Sequence, residues 1–137
     1  MKTILVTGTS SGIGNQICIQ AAAMNFRVIS VSRNIEPLKD LGGIESFKLD
    51  ITDKDSVEEF VTNLKNRKIK IDILINNAGY LVSELFGEST YDSFKKTFDV
   101  NVFGLAEITR SLIPIINKDG HVINISSIGG CLLYTSD

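Results

Sequence analysis

The sequence predicts an α/β fold, a doubly wound parallel sheet between two layers of helices in a three-layer α/β/α domain. Three observations predict it. Short apolar runs alternate with amphipathic helical stretches from end to end, the pattern of βαβ units. Most of the runs are continuously apolar, as strands buried on both faces should be. The first run passes straight into a glycine-rich turn that opens a helix.

Each element has its own signal. Ile4-Leu5-Val6 is the first strand, and the helix after it runs through Ile17, Ala21 and Met24. Val28-Ile29-Ser30-Val31 and Phe47-Lys48-Leu49 are the next two strands. Asp50, Thr52 and Asp53 each have the chemistry to cap the following helix, whose Val57, Phe60, Val61 and Leu64 recur at i, i+3, i+4 and i+7. Ile73-Leu74-Ile75 is the fourth strand. Val102, Leu105, Ile108 and Leu112 mark a longer helix that Pro114 is placed to bend or end. Val122-Ile123-Asn124-Ile125 closes the series, with His121 before it and exposed. That makes about five strands.

Composition narrows the class. Residues total 137, enough for one hydrophobic core, with 43% hydrophobic and 22% charged side chains. A net charge of −2 gives no field for nucleic acid or an anionic membrane. The basic run Lys65 to Lys70 reads as a solvated helix end. Cys18 and Cys131 form no CxxC pair, which argues against a metal site or disulfide framework and fits a reducing, cytoplasmic setting. The opening apolar run is too short for a signal-peptide core or a membrane span.

The segment Gly8-Thr9-Ser10-Ser11-Gly12-Ile13-Gly14 carries the first functional signal. Glycine lets the backbone turn sharply and come close to a diphosphate, while a helix N-terminus offers unpaired N–H groups and partial positive charge. Its GxxxGxG spacing departs from the GxGxxG of the standard dinucleotide site. The second strand ends in Ser32-Arg33-Asn34, where the adenosine ribose of a dinucleotide would lie. An acidic side chain there would favour a free 2′-hydroxyl. A small Ser32 followed by cationic Arg33 favours a 2′-phosphate, so NADP(H) is expected over NAD(H). Asp50, with Ile51, stands where a strand-end carboxylate can accept the adenine amino group. Asn77, Ala78 and Gly79, after Asn76, stand where amides tie strands together and leave backbone against the cofactor.

Taken together these segments resemble the short-chain dehydrogenase/reductase family in its single-domain branch, with a Rossmann-like fold. The resemblance rests on Thr7-Gly8-xxx-Gly12-Ile13-Gly14, Leu49-Asp50-Ile51-Thr52, Asn76-Asn77-Ala78-Gly79, Asp99-Val100-Asn101-Val102 and Gly120-His121-Val122-Ile123-Asn124-Ile125-Ser126-Ser127, in the family's order. It implies hydride transfer between a nicotinamide and a carbonyl or secondary alcohol. A tyrosine exchanges the proton, and a lysine four places later lowers its pKa. It implies that Ser127 hydrogen-bonds the substrate oxygen and that Asn101 holds a water relay. From the residues alone, Asn101 can equally satisfy backbone groups at a helix bend. Segment Tyr80 to Tyr91 is read as one apolar wall of the substrate pocket.

The resemblance also implies an expectation about the ending. The family's Tyr-x-x-x-Lys falls further past the second serine than the ten residues that follow Ser127 here. Tyr134 lies only seven residues on, and no residue exists four places after it. The reading is therefore of residues 1–130 as the N-terminal part of an NAD(P)-binding domain and 131–137 as a non-native tail. As given, the chain is expected to express poorly and to be inactive, with its last strand an uncovered edge. A full-length parent is expected to be a homo-oligomer acting on a small carbonyl or alcohol. The alternative is a dinucleotide-binding sensor or interaction module that never transferred hydride.

Overall fold

A computed structural model describes residues 1–127. Tyr134, Cys131, the boundary at position 130 and the tail read at 131–137 lie outside the described residues. The elements are β1 (Thr3–Thr7), α1 (Gly12–Ala23), β2 (Arg27–Ser32), β3 (Ile44–Lys48), α2 (Lys54–Asn66), β4 (Ile71–Asn76), α3 (Tyr91–Phe98), α4 (Leu105–Leu112) and β5 (Ile116–Asn124). A π-helical turn, Asp99–Gly104, joins α3 to α4, and a 3-10 turn, Ile113–Ile115, joins α4 to β5.

All five strands are parallel, in the order β3-β2-β1-β4-β5. The order reverses between β1 and β4, and a crevice opens there at the carboxyl ends of the strands. The sheet divides the core in two. On one face α1 sets Cys18 and Ala21 against Ile4, Val6, Val28 and Ile75. On the other, α2 sets Val57, Phe60, Val61 and Leu64 against Leu5, Ile29, Val31 and Leu74, and α4 adds Ile108 and Leu112. This is the three-layer arrangement the alternation of runs predicts.

Several local expectations are corrected. The third strand begins at Ile44, and Leu49 lies just past its end. Glu45 and Ser46 interrupt its apolar pattern, because Glu45 faces outward to a forked pair with Arg67 at 2.6 and 3.0 Å while Ser46 bonds Ser30 inside the sheet. Of the three candidate caps Asp50, Thr52 and Asp53, it is Asp53 that caps α2, accepting from Ser56 N at 3.2 Å. Met24 ends α1 from outside and is 71% exposed. His121 lies within β5, opposite Ile73, and is exposed.

The long helix differs most. Its buried stripe is Gly104, Ile108 and Leu112, whereas Val102 is exposed and Leu105 half-buried. The π-helical turn widens the helix by one residue and rotates the turns C-terminal to it, so a 3.6-residue pattern counted across it slips. Gly104 is needed at the crossing, since a Cβ there would stand 2.9 Å from the Asp99 carbonyl and 3.0 Å from Ile51. Pro114 sits in the 3-10 turn that ends α4, as its missing N–H requires.

Candidate active site

The glycine loop follows β1 and is fastened on two sides. Gly8 N donates to the Val31 carbonyl at 2.9 Å, and Asn77 Nδ2 donates to the Gly8 carbonyl at 2.9 Å. Thr7 Oγ1, almost fully buried, accepts from the backbone N–H groups of Asn77 and Ala78 at 3.1 and 3.0 Å. The ends of β1 and β4 are thereby locked together with their buried polar groups satisfied.

The three glycines do different things. Gly8, at φ +71°, lies so close to Ala78 that a Cβ would stand 2.6 Å from its Cα. Gly14 is packed beneath the loop, where a Cβ would come within 2.3 Å of the Gly8 carbonyl. Gly12, at φ +61°, has nothing within 4 Å of where a Cβ would be. Its left-handed backbone and open surroundings leave the opening of α1 approachable. Ser11 precedes that helix without a side-chain cap bond, and the first turn carries no acidic residue. Unpaired N–H groups under partial positive charge suit an anion.

Around this loop a cleft of about 630 Å³ opens at the carboxyl ends of β1 to β4, within the range of roughly 300–1,000 Å³ usual for ligand sites. Of the residues singled out from the sequence, Gly8, Ser10, Ser11, Arg33, Asn34, Asp50, Ile51, Asn77, Ala78 and Gly79 line it. The other members of the glycine loop do not line it. Thr9 is buried beneath the loop, Gly12 and Ile13 face outward, and Gly14 packs inside.

The lining of the β2 end matters for charge. Ser32 Oγ donates to the Asn34 carbonyl at 2.7 Å, and Asn34 Oδ1 accepts from Glu36 N at 3.1 Å, so this turn is self-fastened. Arg33 is exposed at the cleft and forms no salt bridge among the described residues. Asp50 Oδ1 accepts from Thr52 N at 2.9 Å and from Thr52 Oγ1 at 2.7 Å, a local turn that fixes its carboxyl group.

Asn101 stands in the π-helical turn and commits its amide to one residue. Its Oδ1 accepts from Tyr80 N at 2.8 Å and its Nδ2 donates to the Tyr80 carbonyl at 2.9 Å. Such a clamp is the backbone-satisfying role available to a polar residue at a helix irregularity. Ser127 is exposed, three residues past the end of β5, and is not part of the cleft lining. Of the segment from Tyr80 to Tyr91, only Tyr80 lines the cleft, while Leu81, Leu85, Phe86 and Tyr91 are exposed.

Sequence reasoning missed Lys96, Asp99 and Val100 as cleft residues and read Tyr80 only as one end of an apolar wall. Lys96 Nζ lies 4.4 Å from the centroid of the Tyr80 ring. Asp99 is paired with Lys95 at 2.6 Å, and this carboxylate holds the Lys95 ammonium above its ordinary range. No local pattern marks these residues, since they meet only through the turn from α3 to α4. Tyr91 and Lys95 do have the Tyr-x-x-x-Lys spacing, but Tyr91 is 79% exposed and neither lines the cleft. Among the described residues no cluster of metal-ligating side chains occurs, and no helix is long and apolar enough to cross a membrane.

Strand order, crevice and glycine loop together define a nucleotide-binding domain of the Rossmann type. The chain belongs to the short-chain dehydrogenase family, whose model matches residues 2–136. A curated relative, the fatty acyl-CoA reductase of Acinetobacter baylyi, is 36% identical over 93% of this chain and 48% of its own length. A short-chain dehydrogenase from Leptospira borgpetersenii, solved with bound NAD+, superposes with a TM-score of 0.85 at 28% identity, over 93% of this chain and 52% of that one. The structure of ElxO with NADP bound matches with a TM-score of 0.82, also at 28% identity, over 93% of this chain and 56% of that one. The chain thus spans about half the length of these relatives.

Proposed function

We propose that this chain is the cofactor-binding half of an NADP-dependent oxidoreductase that passes a hydride between the nicotinamide and a carbonyl or secondary alcohol carbon. The observation that carries the cofactor choice is Arg33, exposed at the cleft directly after β2, where Ser32 offers no carboxylate. A guanidinium forms a forked pair with a phosphate, and a carboxylate at this place would repel one. The two solved relatives hold NAD+ and NADP at the same identity, so the preference rests on this chain's own β2 end.

The residues fit the group. The amides from Ser10 to Ile13 at the opening of α1 would hold the diphosphate, with Gly12 leaving it room. Asp50 and Ile51 would take the adenine. Asn77, Ala78 and Gly79 would lie along the nicotinamide ribose. When bound, the nicotinamide supplies a carbon that gives or takes hydride. Ser127 would hydrogen-bond the substrate oxygen. Asn101 positions Tyr80, and the second lone pair of its Oδ1 is available to a relay water.

The test is a fluorescence titration with NADPH and NADH on the wild-type chain and on R33A. Tighter binding of NADPH, with the preference lost in R33A, supports the reading. Equal or tighter binding of NADH by the wild type rejects the choice of NADP.

A further inference from the structure

β5 does not pair with β4 in one continuous register. Ile71 stands opposite Ile116 and Ile73 opposite His121, so between these pairs β4 has Asp72 alone while β5 has Asn117, Lys118, Asp119 and Gly120. The surplus leaves the ladder as a bulge, on which Asn117, Lys118 and Asp119 are exposed. Asp72 fastens the base of the bulge, its carboxylate accepting from Thr3 N at 2.8 Å and from Asn117 Nδ2 at 2.9 Å.

The bulge closes only over a glycine. A Cβ at Gly120 would stand 2.7 Å from Ile116 Cγ2, 2.9 Å from the Asn117 carbonyl oxygen and 3.0 Å from that of Asp72. The fold therefore places after Asp119 the residue that least hinders attack on the aspartyl carboxyl group by the following amide nitrogen. Elsewhere this chemistry is restrained. Asp50, Asp53, Asp72 and Asp99 have carboxylates held by hydrogen bonds. Asp40, Asp55 and Asp92 precede Leu41, Ser56 and Ser93, whose N–H groups are already donating. Among the described residues, Asp119 is the aspartate that precedes a glycine, and its carboxylate accepts no hydrogen bond.

We propose that Asp119–Gly120 is an isoaspartate-forming site whose product loosens β5 from β4. Gly120 N attacks Asp119 Cγ, and the amide proton and the carboxyl hydroxyl leave as water, closing a succinimide. Water then reopens the ring. Cleavage between the nitrogen and the main-chain carbonyl carbon of Asp119 leaves the chain running through Cβ and Cγ, with a free α-carboxylate. No oxidant or cofactor is consumed. The main chain gains a methylene immediately before Gly120, which is packed closely on Ile116 and Asp72. The pairing of His121 to Asn124 with β4 follows directly, as does the Ile125 N–H that donates to the Asn76 carbonyl at 2.9 Å.

Ageing the folded chain at neutral pH and body temperature tests this, with methyl transfer from labelled S-adenosylmethionine by a protein isoaspartyl methyltransferase as the readout. The labelled peptides are mapped by mass spectrometry at acid pH. Methylation should accumulate in the peptide that holds Asp119 and fall to background in D119E, whose longer side chain closes a larger ring far more slowly. D119N, which loses ammonia in place of water, should accumulate it faster. Asp119 is exposed, so both variants are expected to keep the wild-type circular dichroism spectrum. Methylation mapped to another aspartate overturns the proposal. So does a folded chain that stays unmethylated, whether or not the chain held in guanidinium isomerises. The isolated isomerised chain should exchange the Ile125 amide faster than the unaged chain, and unchanged exchange overturns the link to β5.

Discussion

The side-chain amide of Asn77 donates to the Gly8 carbonyl at 2.9 Å, joining the loop after β4 to the loop after β1 across the point where the strand order reverses. Gly14 lies directly under this contact, and a Cβ there would be 2.3 Å from the Gly8 carbonyl and 2.5 Å from Asn77 Nδ2. G14A should therefore cost about 1–3 kcal/mol of stability, the usual range for forced overpacking. Urea denaturation measures it. G12A places its methyl in open space and should cost only about 1 kcal/mol of backbone strain, yet impair cofactor affinity more than stability.

Thr7 is a second point of control. Its hydroxyl accepts from two backbone N–H groups in a buried setting, and T7V keeps the shape while orphaning both. A loss of about 1–3 kcal/mol in the denaturation midpoint analysis is expected. T7S retains the acceptor and should lie much closer to wild type.

The fold was largely legible because the glycine positions and apolar runs follow from local constraints. A left-handed backbone at Gly8 and Gly12, and a Cβ-free contact at Gly14, leave few residue choices. The start of β3 was hidden, because Glu45 and Ser46 are held there by partners distant in sequence, Arg67 and Ser30. The π-helical turn was hidden too, since it arises where Gly104 meets Ile51. The cleft wall of Tyr80 and Lys96 exists only after that turn has formed.

Asn101 should act on Tyr80 before it acts on anything else. N101A removes both hydrogen bonds to the Tyr80 backbone, so amide exchange at Tyr80 is expected to accelerate at least about tenfold, as expected from a loss of roughly 1.4 kcal/mol or more in local opening. Exchange measured by NMR reads this directly. Unchanged protection at Tyr80 would show that the clamp does not hold the loop.

Acid sensitivity has a named contributor. The guanidinium of Arg67, with help from Arg27, holds the Glu45 carboxyl below its ordinary value of 4.5. A carboxyl group depressed in the folded state stabilises the fold above its unfolded pKa, and this contribution fades as pH falls through the folded value. E45Q should flatten that part of the stability profile below about pH 4.5 and lessen its salt dependence, because the pair is partly exposed. Urea midpoints across the acid range, at low and high salt, check both effects.

The most direct measurement is the amide spectrum of the 15N-labelled chain titrated with NADP+. A diphosphate held at the opening of α1 should shift the amides of Ser10, Ser11, Gly12 and Ile13 most, with a further shift at Arg33 that NAD+ produces weakly. Shifts confined to other parts of the surface, or none at millimolar cofactor, would contradict the account.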